Sequence, residues 1–397
     1  MIKNDVIKIT LIGFLSYFLT GSLIVVTGTI IGDIAQYFKK SIPQMSFTFT
    51  YLNIGILISM LIEIFLINKI SIKKQLIFGF ILTILAICGL ISSHQIITFA
   101  ISIFIFGIIS GMTMSIGTYL ITNLYTGSER GRKLLLTDSC FSLAGIIIPI
   151  YASKAISNHL HWYMIYIFIS IIYCIIMLLT INTDFNKIFV TKHHPIKNLN
   201  ITNYPSIWLN ISILSCTVFL YILGQLSFIS WVPEYLIHKF NLSIIQSGKI
   251  ISIFWMFYMI GMWFFSFILK FFELQKILVI LSGLSTLFMY LFIQTNTIFL
   301  LYLYISFLGF VSSAIYSISI TIASLQTKYP SSKLINLILI AGTLGSLFTF
   351  IITKPLIITY GIKTALIASN ILYCLVFLCN IFLNIINNCS KTKTIVK

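Results

Sequence analysis

The composition of this 397-residue chain excludes a soluble globular protein. Apolar residues make up 59% of the sequence and charged residues 8%, whereas about a quarter of the residues in globular domains are charged. The same balance excludes a disordered chain, which needs few apolar and many charged residues. The net charge of +17 does not indicate a nucleic-acid partner, because the 25 cations are scattered between apolar runs and form no basic patch. The expected partner is the lipid bilayer.

Twelve apolar stretches are long enough to cross the hydrocarbon core of a bilayer as helices. They predict an all-α polytopic membrane protein with twelve transmembrane helices, since a β-barrel would show strands of about ten residues that alternate in polarity. The predicted spans, numbered 1 to 12 in chain order, are 9–32, 46–67, 76–93, 96–124, 135–157, 162–182, 206–231, 248–269, 275–293, 298–324, 334–352 and 363–386.

The loops alternate in their content of Lys and Arg, which favours the cytoplasmic side of a membrane. The termini and the loops after spans 2, 4, 6, 8 and 10 contain eighteen of these cations, and the other loops contain seven. We therefore predict that both termini are cytoplasmic. The longest loop, 183–205, divides the chain into a six-span half at 1–182 and another at 206–386, with a tail at 387–397.

The two halves share sequence features at a nearly constant offset. An F-x-x-S-x-x-Q spacing follows span 1 and returns 202 residues later, after span 7. It consists of Phe38, Ser41 and Gln44 in the first half and of Phe240, Ser243 and Gln246 in the second. Lys133 and Gly145 in the first half are likewise matched by Lys333 and Gly345, 200 residues later. Ordered matches of this kind predict two parallel, pseudo-symmetric six-helix halves.

Two such halves, a basic central loop and two cytoplasmic termini resemble the major facilitator superfamily. The segment from Tyr221 to Tyr235 is similar to the Y-x-x-G-Q-x-x-x-x-S-W/F-x-x-x-Y run of its fucose/glucose permease-like branch. Blocks that begin at Gly13, Gly111, Thr137 and Ser312 are similar to one group of bacterial inner-membrane members. The resemblance implies the major facilitator fold and a secondary active or facilitative transporter, in which a midplane site opens alternately to the two sides.

Proton coupling is not implied by this resemblance, because the sequence departs from the branch at the residues concerned. Proton-coupled sugar transporters of the branch carry acids within helices 1 and 4. Here span 1 has no acid, Asp33 lying at its outer end, and span 4 has no acid either; Met114 stands near the expected position. The branch's arginine in helix 8 is replaced by Met262. Uniport, or coupling of an unrecognised kind, is therefore favoured over proton symport.

Two acids within predicted spans are candidates for gating or proton transfer, since an ionisable residue in a membrane span needs a function or a partner. Glu63 lies near the cytoplasmic end of span 2, and Asp138 lies one turn beyond Lys133 in span 5. Each acid could carry a proton, could pair with a cation and close an inward gate, or could only cap or pair at a helix end. The basic gating candidates are Arg130, Arg132 and Lys133.

Amide and aromatic side chains within the spans are candidates for substrate binding. Gln225 falls on the span-7 motif and Asn53 lies in span 2; each could bind a solute or only form a hydrogen bond between helices. The aromatic candidates, for which stacking on a solute and packing are both open, are Tyr221, Trp255, Tyr258 and Tyr316. No Lys or Arg lies deep within a span. We therefore expect a small polar or amphipathic organic substrate, with sugars as the first candidates, and not a strongly anionic one.

Small residues make span 4 thin. Gly107 and Gly111 have the four-residue spacing that lets two helices approach closely. Close packing is the favoured interpretation, and a widened substrate path is the alternative.

No catalytic, metal or cofactor motif is present. The sequence lacks H-E-x-x-H, G-x-S-x-G and G-x-x-x-x-G-K-[ST], and it has no paired intramembrane acids. We therefore predict a monomeric transporter of a small molecule, and not an enzyme, with no cofactor and no metal. A transport-inactive membrane scaffold, or a decayed transporter, is the alternative, because decay would leave a chain without its coupling acids.

Overall fold

The computed structural model describes residues 2–40, 45, 48, 50–67, 69–158, 160–185, 205–242, 244–269, 271–326 and 332–395. These residues form helices and connections without a strand. The helices, numbered here in chain order, are α1 (Ile2–Tyr37), α2 (Thr50–Leu66), α3 (Ile72–Ile91), α4 (Ile96–Leu124), α5 (Gly127–Ser157), α6 (Tyr163–Ile181), α7 (Pro205–Phe240), α8 (Ile244–Ile268), α9 (Leu274–Gln294), α10 (Ile298–Ser312), α11 (Ile315–Ser324), α12 (Ser332–Tyr360) and α13 (Ile362–Ile395).

Twelve membrane spans are present in the described part of the chain. Eleven stretches are long and apolar enough to cross a bilayer, and one of them, Ile298–Ser324, consists of α10 followed by α11. The twelfth is α2, an apolar helix of 17 residues. The prediction of an all-α polytopic protein with twelve transmembrane helices is therefore confirmed.

Several helix ends differ from the predicted spans. α1 and α13 continue at Ile2–Tyr37 and Ile362–Ile395, well beyond the apolar stretches, and α5 begins at Gly127 instead of residue 135. α7 and α12 continue through Pro233 and Pro355, where the span predictions had already ended. The prediction followed hydropathy alone, whereas a helix continues into polar sequence as long as its backbone is hydrogen-bonded.

The chain forms two compact units. The first consists of Met1–Thr126 and Leu136–Asn200, and the second of Gly127–Leu135 and Ile201–Lys397. α5 is therefore divided, because residues 127–135 belong to the second unit and the rest of the helix to the first. Most of the predicted central loop, 186–204, lies outside the described residues, as do Ser41, Gln44 and Ser243 of the sequence repeat.

Equivalent helices pack in the same pairs within each unit. In the first unit α2 packs on α4 and α3 on α6; in the second unit α8 packs on α10 and α9 on α13. The helices α3, α6, α9 and α13 each carry a stripe of exposed, large apolar side chains. Examples are Phe78, Ile81, Leu85, Ile171, Leu178, Ile280, Leu287, Ile371 and Leu378. Such surfaces mark contact with lipid or a partner, and in a membrane protein they face the acyl chains.

Glycines at matching positions allow the close contact of α2 with α4 and of α8 with α10. A Cβ atom on Gly107 would overlap the carbonyl oxygen of Leu52. A Cβ atom on Gly309 would lie 2.5 Å from the carbonyl oxygen of Phe254. Both members of this second pair stand 202 residues after their counterparts in the first, so the two units repeat one backbone contact. The packing interpretation of Gly107 agrees with this contact.

A second contact is also repeated in both units, but its serine and its glycine stand on opposite helices in the two units. In the first unit Gly111 lies against the hydroxyl of Ser59; in the second, Gly261 lies against the hydroxyl of Ser313. Ser313 corresponds to Gly111 and Gly261 to Ser59 at the same offset of 202. Each contact therefore holds one serine and one glycine, on opposite helices. This compensated exchange is what two diverged copies of one helix pair would show.

Candidate functional site

The span formed by α10 and α11 is interrupted by a turn. α10 ends at Ser312, and α11 begins at Ile315, after residues 313 and 314. The hydroxyl of Tyr221, on α7, donates a hydrogen bond to the carbonyl oxygen of Ser312, at 2.8 Å. All residues of α11 are buried. Ser313 (φ −58°, ψ −32°) and Ala314 (φ −96°, ψ −9°) keep right-handed helical dihedrals, so the break is a local loss of helical hydrogen bonds and not an unwound segment.

Aromatic side chains gather around this interruption. The hydroxyl oxygens of Tyr221 and Tyr258 are 3.3 Å apart, and the rings of Trp255 and Tyr258 meet edge to face at 5.5 Å. The ring of Tyr373, on α13, lies 5.5 Å from that of Tyr221. Tyr316 is buried on α11. Tyr258 thus contacts two other predicted substrate residues, Tyr221 and Trp255, and Tyr373 is an aromatic neighbour that the sequence analysis missed.

Gln225 lies one turn beyond Tyr221 on α7, so the two residues share a face of that helix. Its side chain is only 4% exposed, and its Nε2 has no hydrogen-bond partner among the described residues. A buried donor without an acceptor costs about 1–3 kcal/mol. An occupant that supplies an acceptor, either water or a solute, would remove this cost.

The predicted substrate residues are not all in one unit. Tyr221, Gln225, Trp255, Tyr258 and Tyr316 belong to the second unit. Asn53 belongs to the first unit, where it lies half-buried on α2.

Two further buried polar residues lie on α7 and α13, which pack against each other. The side chains of Cys216 and Cys379 interact across this contact. Thr217 and Asn380, the next residue on each helix, are 0% and 1% exposed. The amide nitrogen and oxygen of Asn380 have no hydrogen-bond partner in the described part of the chain. The hydroxyl of Thr217 has none there either. Asn380 could have been found from the sequence, because it is an amide within predicted span 12, the criterion that selected Gln225.

Of the basic gating candidates, Arg130 is the most deeply placed. It is 4% exposed, and its guanidinium donates hydrogen bonds to the carbonyl oxygen and the hydroxyl of Ser324, at 2.9 and 3.0 Å. Ser324 is the last residue of α11. Arg132 lies over the ring of Phe267, 5.0 Å from its centroid, and Lys133 is half-exposed. The predicted basic cluster therefore contacts a helix end and a ring of the second unit, to which residues 127–135 belong.

The two predicted acids lie in different surroundings within the first unit. Glu63, on α2, is 1% exposed, and its Oε1 has no hydrogen-bond partner among the described residues. The contact of Ser59 with Gly111 sets the register of α2 against α4. Glu63 and Ser115 lie one turn further on in these two helices. The hydroxyl of Ser115 also has no hydrogen-bond partner among the described residues. Asp138, on α5, is 9% exposed and interacts electrostatically with Tyr17 and Cys140.

Solved structures of the same fold cover nearly all of this chain. The transporter FucP, crystallised in an outward conformation, superposes with a TM-score of 0.77 at 16% sequence identity, over 94% of this chain and 98% of FucP. The proton:xylose symporter XylE superposes with a TM-score of 0.76 at 13% identity, over 95% of each chain. At these identities the likeness shows the fold, which is the one that the sequence analysis expected.

Sequence comparison identifies relatives over the same length. A protein described as a TsgA homolog from Buchnera aphidicola (subsp. Schizaphis graminum) is 53% identical over 382 residues, which are 95% of this chain and 97% of the relative. A TsgA homolog from Yersinia pseudotuberculosis is 47% identical over 378 residues, 95% of each chain. The family model described as Major Facilitator Superfamily matches residues 11–332. The chain therefore belongs to the Major Facilitator Superfamily, and it is a multi-pass membrane transporter of a small organic solute.

Proposed function

We propose that the chain carries a small polar or amphipathic solute across the bacterial inner membrane by alternating access, with sugars as the first candidates. The buried polar and aromatic cluster around the interrupted span carries this proposal. The amide of Gln225 and the hydroxyls of Tyr221 and Tyr258 can form hydrogen bonds with hydroxyl groups. The rings of Trp255 and Tyr316 offer apolar faces, and such a mixture is typical of small-molecule sites.

The names of two proteins with the same fold agree with a sugar substrate. FucP of E. coli is described as a fucose:proton symporter, and XylE is described as a proton:xylose symporter bound to 6-bromo-6-deoxy-D-glucose.

A strongly anionic substrate does not suit the proposed site. Lys249, the basic residue at the start of predicted span 8, is exposed and would extend its ammonium group to the membrane interface. Arg130 is committed to Ser324 at the end of α11. An anion at Gln225 and Tyr258 would then have only neutral donors, whereas a neutral solute needs no counter-ion.

The proposed orientation places both termini in the cytoplasm and rests on the Lys and Arg content of the loops. In this orientation α1 ends at the outer face, whereas α11 ends at the cytoplasmic face beside Arg130. The transporter would act as a monomer, since both halves are present in one chain.

We expect Gln225→Leu to weaken transport without damaging the protein. Loss of one buried hydrogen bond should raise the KM for uptake by about 5- to 100-fold, and removal of an unpartnered amide should leave thermal stability unchanged or higher. Uptake into proteoliposomes, with substrates first selected by thermal shift among sugars, amino acids, organic anions and drugs, measures the change. Gln294→Leu is the control, because Gln294 is exposed at the end of α9.

Two outcomes would contradict the proposal. If Gln225→Leu raises stability and leaves KM unchanged, Gln225 only packs between helices. If no solute stabilises the protein and none is taken up, the chain is a transport-inactive scaffold.

We also expect uptake to follow the solute gradient alone. Glu63 and Asp138 lie near the proposed cytoplasmic face, whereas a proton carrier must be reached alternately from both sides. An imposed pH gradient should therefore not raise accumulation, and uptake should survive Glu63→Gln and Asp138→Asn, which keep side-chain size and remove the charge. Proton symport would be established instead if the gradient drives accumulation and one of these substitutions abolishes it while downhill exchange persists.

A further inference from the structure

Two lysines from different helices meet at the end of α6 in the first unit. The ammonium group of Lys8, on α1, donates a hydrogen bond to the carbonyl oxygen of Asn182, at 2.7 Å. The ammonium group of Lys73, on α3, donates one to the carbonyl oxygen of Ile181, at 3.0 Å. The two acceptors are consecutive residues at the point where α6 ends, and the free carbonyls of a helix end attract cations. Two positive charges therefore lie side by side at one place on the surface.

The bonds to α6 use only part of the binding capacity of these ammonium groups. Each ammonium group has three N–H donors and no acceptor. Asp5 lies 3.7 Å from Lys8, whose side chain nevertheless stays 32% exposed. Two further lysines, Lys69 before α3 and Lys74 within it, are exposed. Against these four lysines the described residues place two acids, Asp5 and Asp184, so the surface keeps a positive charge.

Exposed apolar side chains continue from this charged surface along α3 and α6. Phe78 on α3 is 56% exposed, and Leu178 and Ile181 on α6 are 61% and 51% exposed. The two helices pack against each other, and the hydroxyl of Tyr173 joins them by donating to the carbonyl oxygen of Leu76, at 3.1 Å. Cations at the helix ends are thus followed by an apolar flank. A phospholipid presents the complementary groups in the same order, a phosphate followed by acyl chains.

The second unit lacks this pair of lysines at the equivalent positions. At the offset of 202 residues, Lys8 and Lys73 correspond to Asn210 and Gln275, which are neutral. The preference of lysine for the cytoplasmic side of a membrane acts on both units alike. It therefore does not explain why only one of them brings two ammonium groups together.

We propose that the surface formed by Lys8, Lys69, Lys73 and Lys74, here called the lysine surface, binds the headgroup of an anionic phospholipid. The phosphate oxygens would accept hydrogen bonds from the ammonium groups, and the acyl chains would lie along α3 and α6. Basic pockets between transmembrane helices bind such headgroups. In the orientation proposed above, this lipid belongs to the cytoplasmic leaflet. Its binding does not depend on the proposed transport activity, so the two can fail independently.

The test is native mass spectrometry of the full-length protein in detergent micelles, titrated with one phospholipid at a time. Phosphatidylglycerol and cardiolipin are the anionic probes, and phosphatidylcholine with the same acyl chains is the zwitterionic one. Glycerol 1-phosphate represents the headgroup without a lipid. We expect the anionic lipids to bind with a Kd about tenfold or more below that of phosphatidylcholine.

The double variant Lys8→Gln, Lys73→Gln should weaken the binding of phosphatidylglycerol about tenfold or more. Lys8→Arg, Lys73→Arg should retain it, because the positive charges remain. If loss of the bonds to α6 prevents folding of the first variant, Lys69→Gln, Lys74→Gln removes charge from exposed positions and should weaken binding in the same direction.

Lys276→Gln is the matched control in the second unit. Lys276 corresponds to Lys74 at the offset of 202, and it is paired with Glu273 at 3.3 Å. Its substitution should leave the binding of phosphatidylglycerol unchanged.

Four outcomes would overturn the proposal. Equal affinity for phosphatidylcholine would mean that only the acyl chains bind. Glycerol 1-phosphate bound as tightly as the lipids would mean a site for a soluble anion. An equal loss of binding in Lys276→Gln would mean that any surface charge attracts these lipids. No bound phospholipid of any kind would mean that the lysines only stabilise the end of α6.

Discussion

Gly107→Ala is expected to destabilise the first unit by several kcal/mol and to abolish expression of a monodisperse protein. The added methyl group would overlap the carbonyl oxygen of Leu52, and a backbone atom cannot move aside as a side chain can. Overpacking of a core costs about 1–3 kcal/mol when side chains adjust, so a clash with backbone should cost more. Thermal unfolding in detergent, followed by size-exclusion chromatography, measures the effect.

The control for this substitution is Gly145→Ala in α5. A Cβ atom there would lie 3.7 Å from the Cγ2 of Val25, an ordinary van der Waals distance. Alanine also favours a helix by about 0.5–1 kcal/mol over glycine, so this variant should be as stable as the parent or more stable. Equal stability of the two variants would mean that α2 and α4 do not approach as closely as the structure shows.

The contact between a serine and a glycine, which is reversed in the second unit, offers a second test of how closely α2 packs on α4. Gly111→Ser alone places a Cβ atom against the hydroxyl of Ser59 and 2.5 Å from the carbonyl oxygen of Ile56, and should destabilise the first unit. The double variant Ser59→Gly, Gly111→Ser reproduces the arrangement of Gly261 and Ser313 in the second unit. Because the residues are in contact, their effects should be non-additive by about 0.5–3 kcal/mol, and the double variant should be the more stable of the two. Additive losses would argue against equivalent contacts in the two units.

The sequence predicted the helices of this fold better than it predicted their ends and interruptions. Apolar length alone located all twelve spans, because each must cross the same hydrocarbon thickness. The interruption after Ser312 was not predicted, since the segment Ser312–Ser313–Ala314 has neither proline nor glycine. The freed carbonyl is capped by Tyr221, which lies about ninety residues earlier in the chain. Such an interruption depends on tertiary contacts that no local pattern reports.

The residues of the candidate sites were predictable to different degrees. Gln225 and Tyr221 were found because an amide and a family motif coincide in one span. Tyr373 was missed, because nothing in the sequence shows that its ring lies beside that of Tyr221. Arg130 was selected as a gating residue that could pair with an acid. Its contact with a helix end was not predicted, because the free carbonyls of a helix end have no sequence signature.

The second large effect is expected from Arg130→Gln. The guanidinium lies at the C-terminal end of α11, where free carbonyls and the helix dipole favour a positive charge. Hydrogen bonds from a charged group contribute about 1.5–3 kcal/mol, so their loss should release residues 127–135 from α11 and expose Thr321. A cysteine at Thr321, which is 0% exposed, should then react with N-ethylmaleimide at least tenfold faster.

Arg132→Gln is the matched control, since it removes the same charge two residues away. Its guanidinium lies over the ring of Phe267, and a cation–π contact at a partly exposed site contributes about 0.5–1 kcal/mol. Labelling at position 321 should therefore rise less than about fivefold.

The difference between the two arginine variants bears on gating because α5 belongs to both units. Residues 127–135 cluster with the second unit, and the rest of the helix clusters with the first. A gating role requires the bonds of Arg130 with Ser324 to break in one state and to form in the other. Solute should then change the labelling rate at position 321 in the parent protein. A rate that is insensitive to solute, together with equal rates in the two arginine variants, would make Arg130 a structural helix cap and not a gate.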